Sequence, residues 1–229
     1  MFLLAVTAFA WLFTHIGISG TPLRDRLIAA LGQKGFLGLY SIASVAAIAG
    51  LCAAYAQAPQ EALWVTPSSV RWALVAVMLP AFILLAASIA SPNPTAVGAE
   101  LRPEGPGADP VRGIFRVTRH PMLWGFAIWG LVHVVANGTG AALIFFGTFA
   151  LTALAGMPSI DAKLARRDPA RWAPLAAHTS IMPGAAILAG RNRLALREIG
   201  WLVPLIGLAI WALVLGAHPY VIGVPAWPG

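Results

Sequence analysis

Apolar and polar residues follow one another along this chain in long blocks rather than at short intervals. Each apolar block supplies several helical turns, and the segments between blocks carry charges, prolines or glycines. One bilayer crossing takes roughly 20 mostly apolar residues. The pattern therefore predicts an all-α, polytopic membrane helix bundle of about six transmembrane helices in a single domain, 1–229. The predicted spans are 2–18, 36–56, 70–90, 122–136, 141–156 and 199–217.

The connections between these spans differ in kind. The turn-forming run Asn137–Gly140 predicts that the fourth and fifth spans are an antiparallel pair. Prolines and glycines in Ser91–Arg119 exclude a continuous helix and predict an irregular connector. The polar stretch Pro158–Glu198 is the longest, and its portion Asp161–Trp172 predicts a short helix at the level of the lipid headgroups. The first apolar run has no basic residue before it, so we interpret it as a retained helix.

Charge gives this arrangement an orientation. Fourteen of the 15 basic residues fall in the first, third and fifth loops, which lie on one side of a six-span bundle. Arg102 is among them, and Arg71 is the exception. Cytoplasmic loops carry the excess of Lys and Arg, so both termini are expected on the non-cytoplasmic side.

Composition narrows the possible functions. With 59% hydrophobic and 10% charged residues and a mean hydropathy of +0.79, the chain is not a soluble globular enzyme. The net charge of +7 is explained by topology and headgroup contacts, so membrane lipids are expected partners and nucleic acid is not. Cys52 is the single cysteine, which excludes an intramolecular disulfide, a thiolate zinc site and a cysteine-ligated iron–sulfur cluster. A metal or cofactor must therefore rely on histidine or oxygen ligands.

Two of the five histidines, His15 and His133, lie inside predicted spans, where a polar side chain needs a partner. Trp11 precedes His15 by one helical turn. The residues that share a helical face with His133 are Trp129, Gly130 and Asn137. Two imidazoles from different helices suit the axial positions of a haem iron, and Gly130 leaves room for a flat macrocycle. The alternative is that each histidine only bonds a neighbouring helix. The two histidines are also expected at different depths, which facing ligands would have to overcome.

A third histidine stands in the tripeptide Arg119-His120-Pro121, which marks a helix start. The amides and partial positive charge of a helix N-terminus, added to Arg119, predict an anion site for a lipid phosphate or a ligand carboxylate. Asp161 with Arg166 and Arg167 offers His120 a polar site, although a charged surface helix explains those three residues equally well. The other two histidines, His178 and His218, have no partner pattern and are assigned to solvated or interfacial positions.

Several of these segments together resemble the NnrU family of bacterial membrane proteins. They are Thr118–Gly125, Ile128–His133, Ala136–Gly138, Phe13–His15 with Arg24, Gly38–Ser41 and Ser91–Thr95. The resemblance implies a bacterial inner-membrane location and a role in denitrification and nitric oxide metabolism. The family is related to zeta-carotene isomerase, a membrane haem protein, and that relationship implies haem b with His15 and His133 as iron ligands. A related redox or isomerisation step on a small hydrophobic substrate, or with a redox partner, is then expected.

Two other interpretations stay open at this stage. Membrane methyltransferases that modify prenylcysteine carboxylates or phospholipid amines also have an Arg-His-Pro helix start, followed by a Glu-Glu segment that helps hold S-adenosylmethionine. The corresponding segment here, Ser159–Lys163, has one acid and no Glu-Glu. The third interpretation is a non-catalytic regulatory or assembly protein. Substrate, reaction and oligomeric state do not follow from the sequence.

Overall fold

The computed structural model describes residues 1–91 and 111–228, and the regular elements in those ranges are helices. Its longer helices are α1 (Phe2–Leu12), which continues into a π-helical turn (Phe13–Ile18), α2 (Leu23–Ala56), α3 (Ser68–Ala90), α4 (Pro121–Asn137), α5 (Gly140–Arg167) and α9 (Leu202–Val221). The shorter helices are a 3-10 turn (Gly113–Arg116), α6 (Pro169–His178), α7 (Ala185–Leu188) and α8 (Leu196–Ile199). The all-α prediction is confirmed for the described residues.

Each predicted apolar span coincides with one of the longer helices. α2, α3, α5 and α9 are long and apolar enough to cross a membrane, whereas Phe2–Ile18 and α4 are apolar but shorter. The helices pack in the spatial order α9, α3, α4, α5, α1 and α2. The apolar cores of α2 and α9 are the least covered by protein, as expected for helices that face lipid.

The α4–α5 hairpin has the antiparallel form that the turn signal predicts. Gly138 ends α4 with φ +64, a conformation that favours glycine, and its amide donates to the Val134 carbonyl. The Thr139 hydroxyl caps α5 by accepting from the Ala142 amide at 3.1 Å. The turn thereby joins the two helices, which pack closely against each other.

Two boundaries differ from the prediction. α2 begins at Leu23, earlier than predicted, because its first turns are polar and give no hydropathy signal. Gly32 interrupts this helix with a non-helical conformation. α5 runs through Pro158 to Arg167, so a separate surface helix over Asp161–Trp172 is wrong. The new helix, α6, starts only after Asp168, whose side chain accepts from the Arg171 amide at 3.1 Å. Proline removes one hydrogen bond without ending α5, since contacts of Asp161 with α4 hold the last turns in place.

Contacts between loops define two ends of the bundle. Arg167 pairs with Asp25 at 3.2 Å, which joins the first loop to the end of α5. Arg116 pairs with Glu198 at 2.8 Å, which joins the third loop to the fifth. At the other end, the Leu63 amide donates to the Gly138 carbonyl at 2.7 Å. The first, third and fifth loops therefore share one end, which we call the basic end.

The third connector, Ser91–Arg119, is described only in part. Arg102 and most of the Ser91–Thr95 motif lie outside the described residues. The described remainder, residues 111–120, contains the 3-10 turn and leads directly into α4. Ile114 and Phe115 in that turn are buried against α3 and α4, so this part of the connector is packed into the bundle.

Candidate functional site

His15 lies within the π-helical turn that follows α1. Its ring stacks on Trp11, with centroids 3.8 Å apart, and its Nδ1–H donates to the Trp11 carbonyl at 2.9 Å. The edge of Tyr40 on α2 approaches the same ring, with centroids 5.7 Å apart. A carbonyl oxygen only accepts, so Nδ1 carries the proton, and in the neutral ring Nε2 then carries a lone pair. π-helical turns are rare and frequently occur at functional sites.

His133 on α4 repeats this arrangement. Its Nδ1–H donates to the Trp129 carbonyl at 2.8 Å, and its ring stacks on Phe146 of α5 with centroids 4.8 Å apart. Within the described ranges, no hydrogen bond is found for Nε2 of either His15 or His133. Histidines that ligate metals have this form, since the second ring nitrogen is tied to a carbonyl or carboxylate that fixes the tautomer.

The two histidine–tryptophan pairs meet on α5. The rings of Trp11 and Trp129 both contact Phe149, with centroids 5.2 and 5.5 Å away. Trp11 also donates from Nε1 to the Thr152 hydroxyl at 3.0 Å. We call this group the aromatic layer, and its members are Trp11, His15, Trp129, His133, Phe146 and Phe149. The layer brings the two predicted ligands to the same stretch of α5, with tryptophan and phenylalanine rings between them.

Two residues predicted beside a cofactor have other roles. A Cβ on Gly130 would lie 2.7 Å from the Phe146 carbonyl oxygen and 3.0 Å from Ala150 Cβ. The space at Gly130 is therefore filled by the backbone of α5, and the prediction that a macrocycle uses it is wrong. Asn137 donates from Nδ2 to the His133 carbonyl at 2.7 Å and is exposed at the end of α4. Its polar group serves the helix terminus.

A second polar group lies where α4 begins. The Arg119 guanidinium binds the Asp161 carboxylate twice, with Nε–Oδ2 at 2.9 Å and Nη2–Oδ2 at 2.6 Å. His120 donates from Nε2 to Asp161 Oδ1 at 2.8 Å. We call these three residues the Arg-His-Asp cluster. The anion beside Arg119 and His120 is thus a carboxylate of this chain, and the buried His120 ring has no surface left for a lipid headgroup.

The surroundings of this cluster are closed. His120 is 1% exposed, and its Nδ1 is buried without a hydrogen-bond partner in the described residues. Trp172 on α6 covers Arg119, whose guanidinium carbon lies 5.2 Å from the ring centroid. Arg167 instead bonds Asp25, so it does not join His120 in a common site. The Arg-His-Asp cluster and the aromatic layer share no residue and are two separate regions of the bundle.

The remaining histidines fit their predicted positions at the surface. His178 donates from Nδ1 to the Pro174 carbonyl at 2.9 Å and is exposed. His218 donates to the Val224 carbonyl at 2.6 Å near the end of α9. In the part of the chain that the structure covers, no three His, Cys, Asp or Glu side chains converge as a metal cage. A metal held through two histidines and a macrocycle remains compatible with that finding.

Sequence reasoning missed two members of the site. Phe149 links the two tryptophans, and its signal is the run of phenylalanines at 145, 146 and 149, which recur at helical spacing. Tyr40 lies within the Gly38–Ser41 segment, but nothing in that segment indicates a contact with His15. That contact depends on how α2 packs on α1.

These features define a helical membrane protein with two histidines on its shorter apolar helices and a buried ion cluster at its basic end. The NnrU protein family model matches residues 3–226, and the chain belongs to that family. It is 38% identical over 107 residues to 15-cis-zeta-carotene isomerase, chloroplastic, of Arabidopsis thaliana, and 35% identical over 106 residues to the protein of that name from Zea mays. Each match covers 46% of this chain and 29% of the relative, so it spans under a third of the relatives' length. No solved structure matches.

Proposed function

We propose that this protein is an isomerase-like integral membrane protein that holds haem b through His15 and His133. One observation carries the proposal: both histidines have Nδ1 tied to the carbonyl four residues earlier and no hydrogen-bond partner at Nε2 within the described residues. An intramembrane imidazole with a free lone pair needs a reason to exist. Haem iron is a ligand acceptor that two neutral imidazoles satisfy.

The residues present fit haem in their chemistry. The carbonyl bonds at 2.9 and 2.8 Å hold the two rings and raise the basicity of Nε2. Trp11 and Trp129 supply flat apolar faces beside the ligands. When bound, the haem would supply one-electron redox chemistry. The chain itself would orient the imidazoles and limit the access of water, because Phe146 is buried and Trp11, Trp129 and Phe149 pack against the same core.

A haem assay tests this directly. The full chain is expressed with haem supplied, purified in mild detergent and analysed by visible spectra and the pyridine haemochrome reaction. We expect about one haem per chain, lost in His15→Ala and His133→Ala. His178→Ala is the matched control, because it removes a histidine with the same backbone bond from an exposed site. A chain without a Soret band, or with one that is unchanged in both variants, would overturn the proposal.

The isomerase part of the proposal comes from the relatives' name, and its substrate class is a long apolar molecule with a cis double bond. Isomerisation conserves atoms and needs no second substrate. Such a molecule reaches the bundle through the lipid that surrounds α2 and α9. Incubating haem-loaded protein with 15-cis-zeta-carotene and separating the isomers measures the activity. Conversion that is retained in His178→Ala and lost in His133→Ala supports the proposal. No conversion by the haem-loaded chain, or equal conversion by His133→Ala and His178→Ala, would oppose it.

A role in nitric oxide metabolism is the alternative that the family resemblance implies. If His15 and His133 both held the iron, binding of nitric oxide would require one of them to leave it. A Soret shift on adding nitric oxide to the reduced, haem-loaded chain supports that role. A spectrum that does not change favours isomerisation or electron transfer.

The methyltransferase alternative relies on the start of α4. Arg119 and His120 are the residues that would face S-adenosylmethionine, and both bind Asp161 instead. Calorimetric titration with S-adenosylmethionine decides the question: saturable binding that needs both residues would favour a methyltransferase. If neither haem nor S-adenosylmethionine binds, a regulatory or assembly role is favoured. Crosslinking in the membrane would then identify the partner proteins.

We also propose six crossings with both termini on the non-cytoplasmic side of a bacterial inner membrane. A helix of 17 residues, such as α4, is about 25 Å long and at the short end for a crossing. The location of three basic loops at one end supports the orientation. Cys52 is the single cysteine, so Cys52→Ala provides a background for single cysteines at the exposed residues Gln33, in the first loop, and Glu61, in the second. Labelling from opposite sides is expected, and labelling of both from one side would contradict the topology.

A further inference from the structure

We propose that a cavity at the basic end of the bundle binds an anionic group of the phosphate type. The cavity has a volume of about 600 Å³ and lies between the second half of α6, the segment after α7 and the 3-10 turn. Its polar wall consists of Arg116, His178, Arg191, Asn192 and Arg193. It contains no member of the aromatic layer or of the Arg-His-Asp cluster, so the inference does not depend on haem or isomerase activity.

The charge of the wall is unbalanced. Arg116 is neutralised by Glu198, with Nε–Oε2 at 2.8 Å and Nη2–Oε1 at 2.9 Å. Over residues 1–91 and 111–228, neither Arg191 nor Arg193 forms an ion pair, and the cavity lining holds no acid. Two guanidinium groups beside one cavity repel each other, and an anion bound between them attracts both and offsets that repulsion.

The wall is also held in place before any ligand arrives. Arg191 Nη1 donates to three carbonyls at the end of α6, those of Ala176, Ala177 and Thr179, at 2.9 to 3.2 Å. Asn192 Nδ2 ties the Arg116 carbonyl to the His178 carbonyl. A wall that is already ordered loses little conformational entropy on binding. In the described residues these bonds use only Nη1 of Arg191, which leaves Nε and Nη2 to donate to two oxygens of a phosphate group.

The size and position of the cavity define the ligand class. A single phosphate ion is much smaller than 600 Å³, so the volume suits a phosphate that carries a substituent. Two sources have that chemistry at a membrane surface: the headgroup of an anionic phospholipid and a soluble phosphate compound. Both present the same group to Arg191 and Arg193.

Arg193→Gln is the direct test, and Arg197→Gln is its matched control, since Arg197 carries the same charge four residues later and is outside the cavity. The full chain in detergent is titrated with phosphatidylglycerol, phosphatidylcholine or inorganic phosphate, and bound ligand is counted by native mass spectrometry. We expect Arg193→Gln to weaken binding about fivefold, Arg193→Lys to restore part of it, and Arg197→Gln to leave it unchanged.

The probes separate the two sources. Binding of phosphatidylglycerol that inorganic phosphate does not displace identifies a lipid headgroup, and displacement identifies a soluble phosphate compound. Either result supports the site if Arg193→Gln weakens it. Equal affinity in the two glutamine variants, or equal retention of phosphatidylglycerol and phosphatidylcholine, would overturn it. Haem content is measured in the same samples, so failure of the haem proposal stays distinguishable.

Discussion

His120, immediately before α4, and His133, within it, lie thirteen residues apart, yet their rings are bound in opposite ways. His133 donates from Nδ1 to a backbone carbonyl of its own helix and keeps Nε2 available. His120 donates from Nε2 to the Asp161 carboxylate and keeps a buried Nδ1 without a partner among the described residues. Rotation of about 220° along the helix directs the two side chains to different neighbours.

The two kinds of hydrogen bond suit different roles. The carbonyl bond of His133 is neutral and local, so it orients a ring without linking helices. The Asp161 bonds of His120 and Arg119 are charged and link the start of α4 to α5. A neutral, oriented imidazole is prepared to bind a metal, whereas the cluster holds two helices together.

The largest effect is expected from Asp161→Asn. The substitution leaves the Arg119 charge, whose side chain is 11% exposed, without its carboxylate. Removing one partner of a buried pair costs about 3 kcal/mol or more. Thermal unfolding in detergent, followed by tryptophan fluorescence, should show a fall in the midpoint of several degrees. A midpoint equal to that of the original chain would mean that the cluster does not hold α4 to α5.

A smaller loss is expected when the aromatic layer is crowded. Gly130→Ala places a Cβ 2.7 Å from the Phe146 carbonyl oxygen, and overpacking of this kind costs about 1–3 kcal/mol. Gly147→Ala on α5 is the control, since nothing lies within 4 Å of its Cβ and alanine favours a helix. The two unfolding midpoints should move in opposite directions. A fall in both would show that general helix packing, not the contact at Gly130, is responsible.

Acid should weaken the basic end through Glu198. Hydrogen bonds from Arg116 and from the Gly113 amide lower the pKa of Glu198 from 4.5 to about 2. A carboxyl with a lowered pKa in the folded state stabilises the fold above its unfolded pKa and loses that effect as the pH falls. The original chain should therefore lose stability between about pH 4.5 and 2, and Glu198→Gln should lose less over the same window. Parallel pH profiles of the unfolding midpoint would refute this.

The smallest effect is expected from Asp25→Asn. Asp25 pairs with Arg167 at 3.2 Å, but its side chain is 66% exposed. Exposed ion pairs contribute about 0–1 kcal/mol and are screened by salt. The unfolding midpoint should stay within about a degree of the original. A loss as large as that of Asp161→Asn would mean that burial does not distinguish the two ion pairs.

Local relationships were predictable from the sequence and distant ones were not. The pairing of each histidine with the tryptophan one turn earlier follows from helical periodicity alone. The sequence indicates Asp161 as a partner of His120, but a charged surface helix explains Asp161 equally well. The choice between them depends on a contact between residues 41 positions apart along the chain. The role of Gly130 was wrong for the same reason, since the atoms that fill its space belong to α5. The π-helical turn around His15 has no signal in hydrophobic pattern.

One haem assay of three histidine variants distinguishes the aromatic layer from the Arg-His-Asp cluster as the place where haem binds. His15→Ala, His133→Ala and His120→Ala are purified with haem supplied, and the Soret band is normalised to folded protein. The free Nε2 atoms of His15 and His133 predict loss of the band in those two variants and its retention in His120→Ala. Loss in His120→Ala with retention in His133→Ala would contradict the assignment of the haem to the aromatic layer.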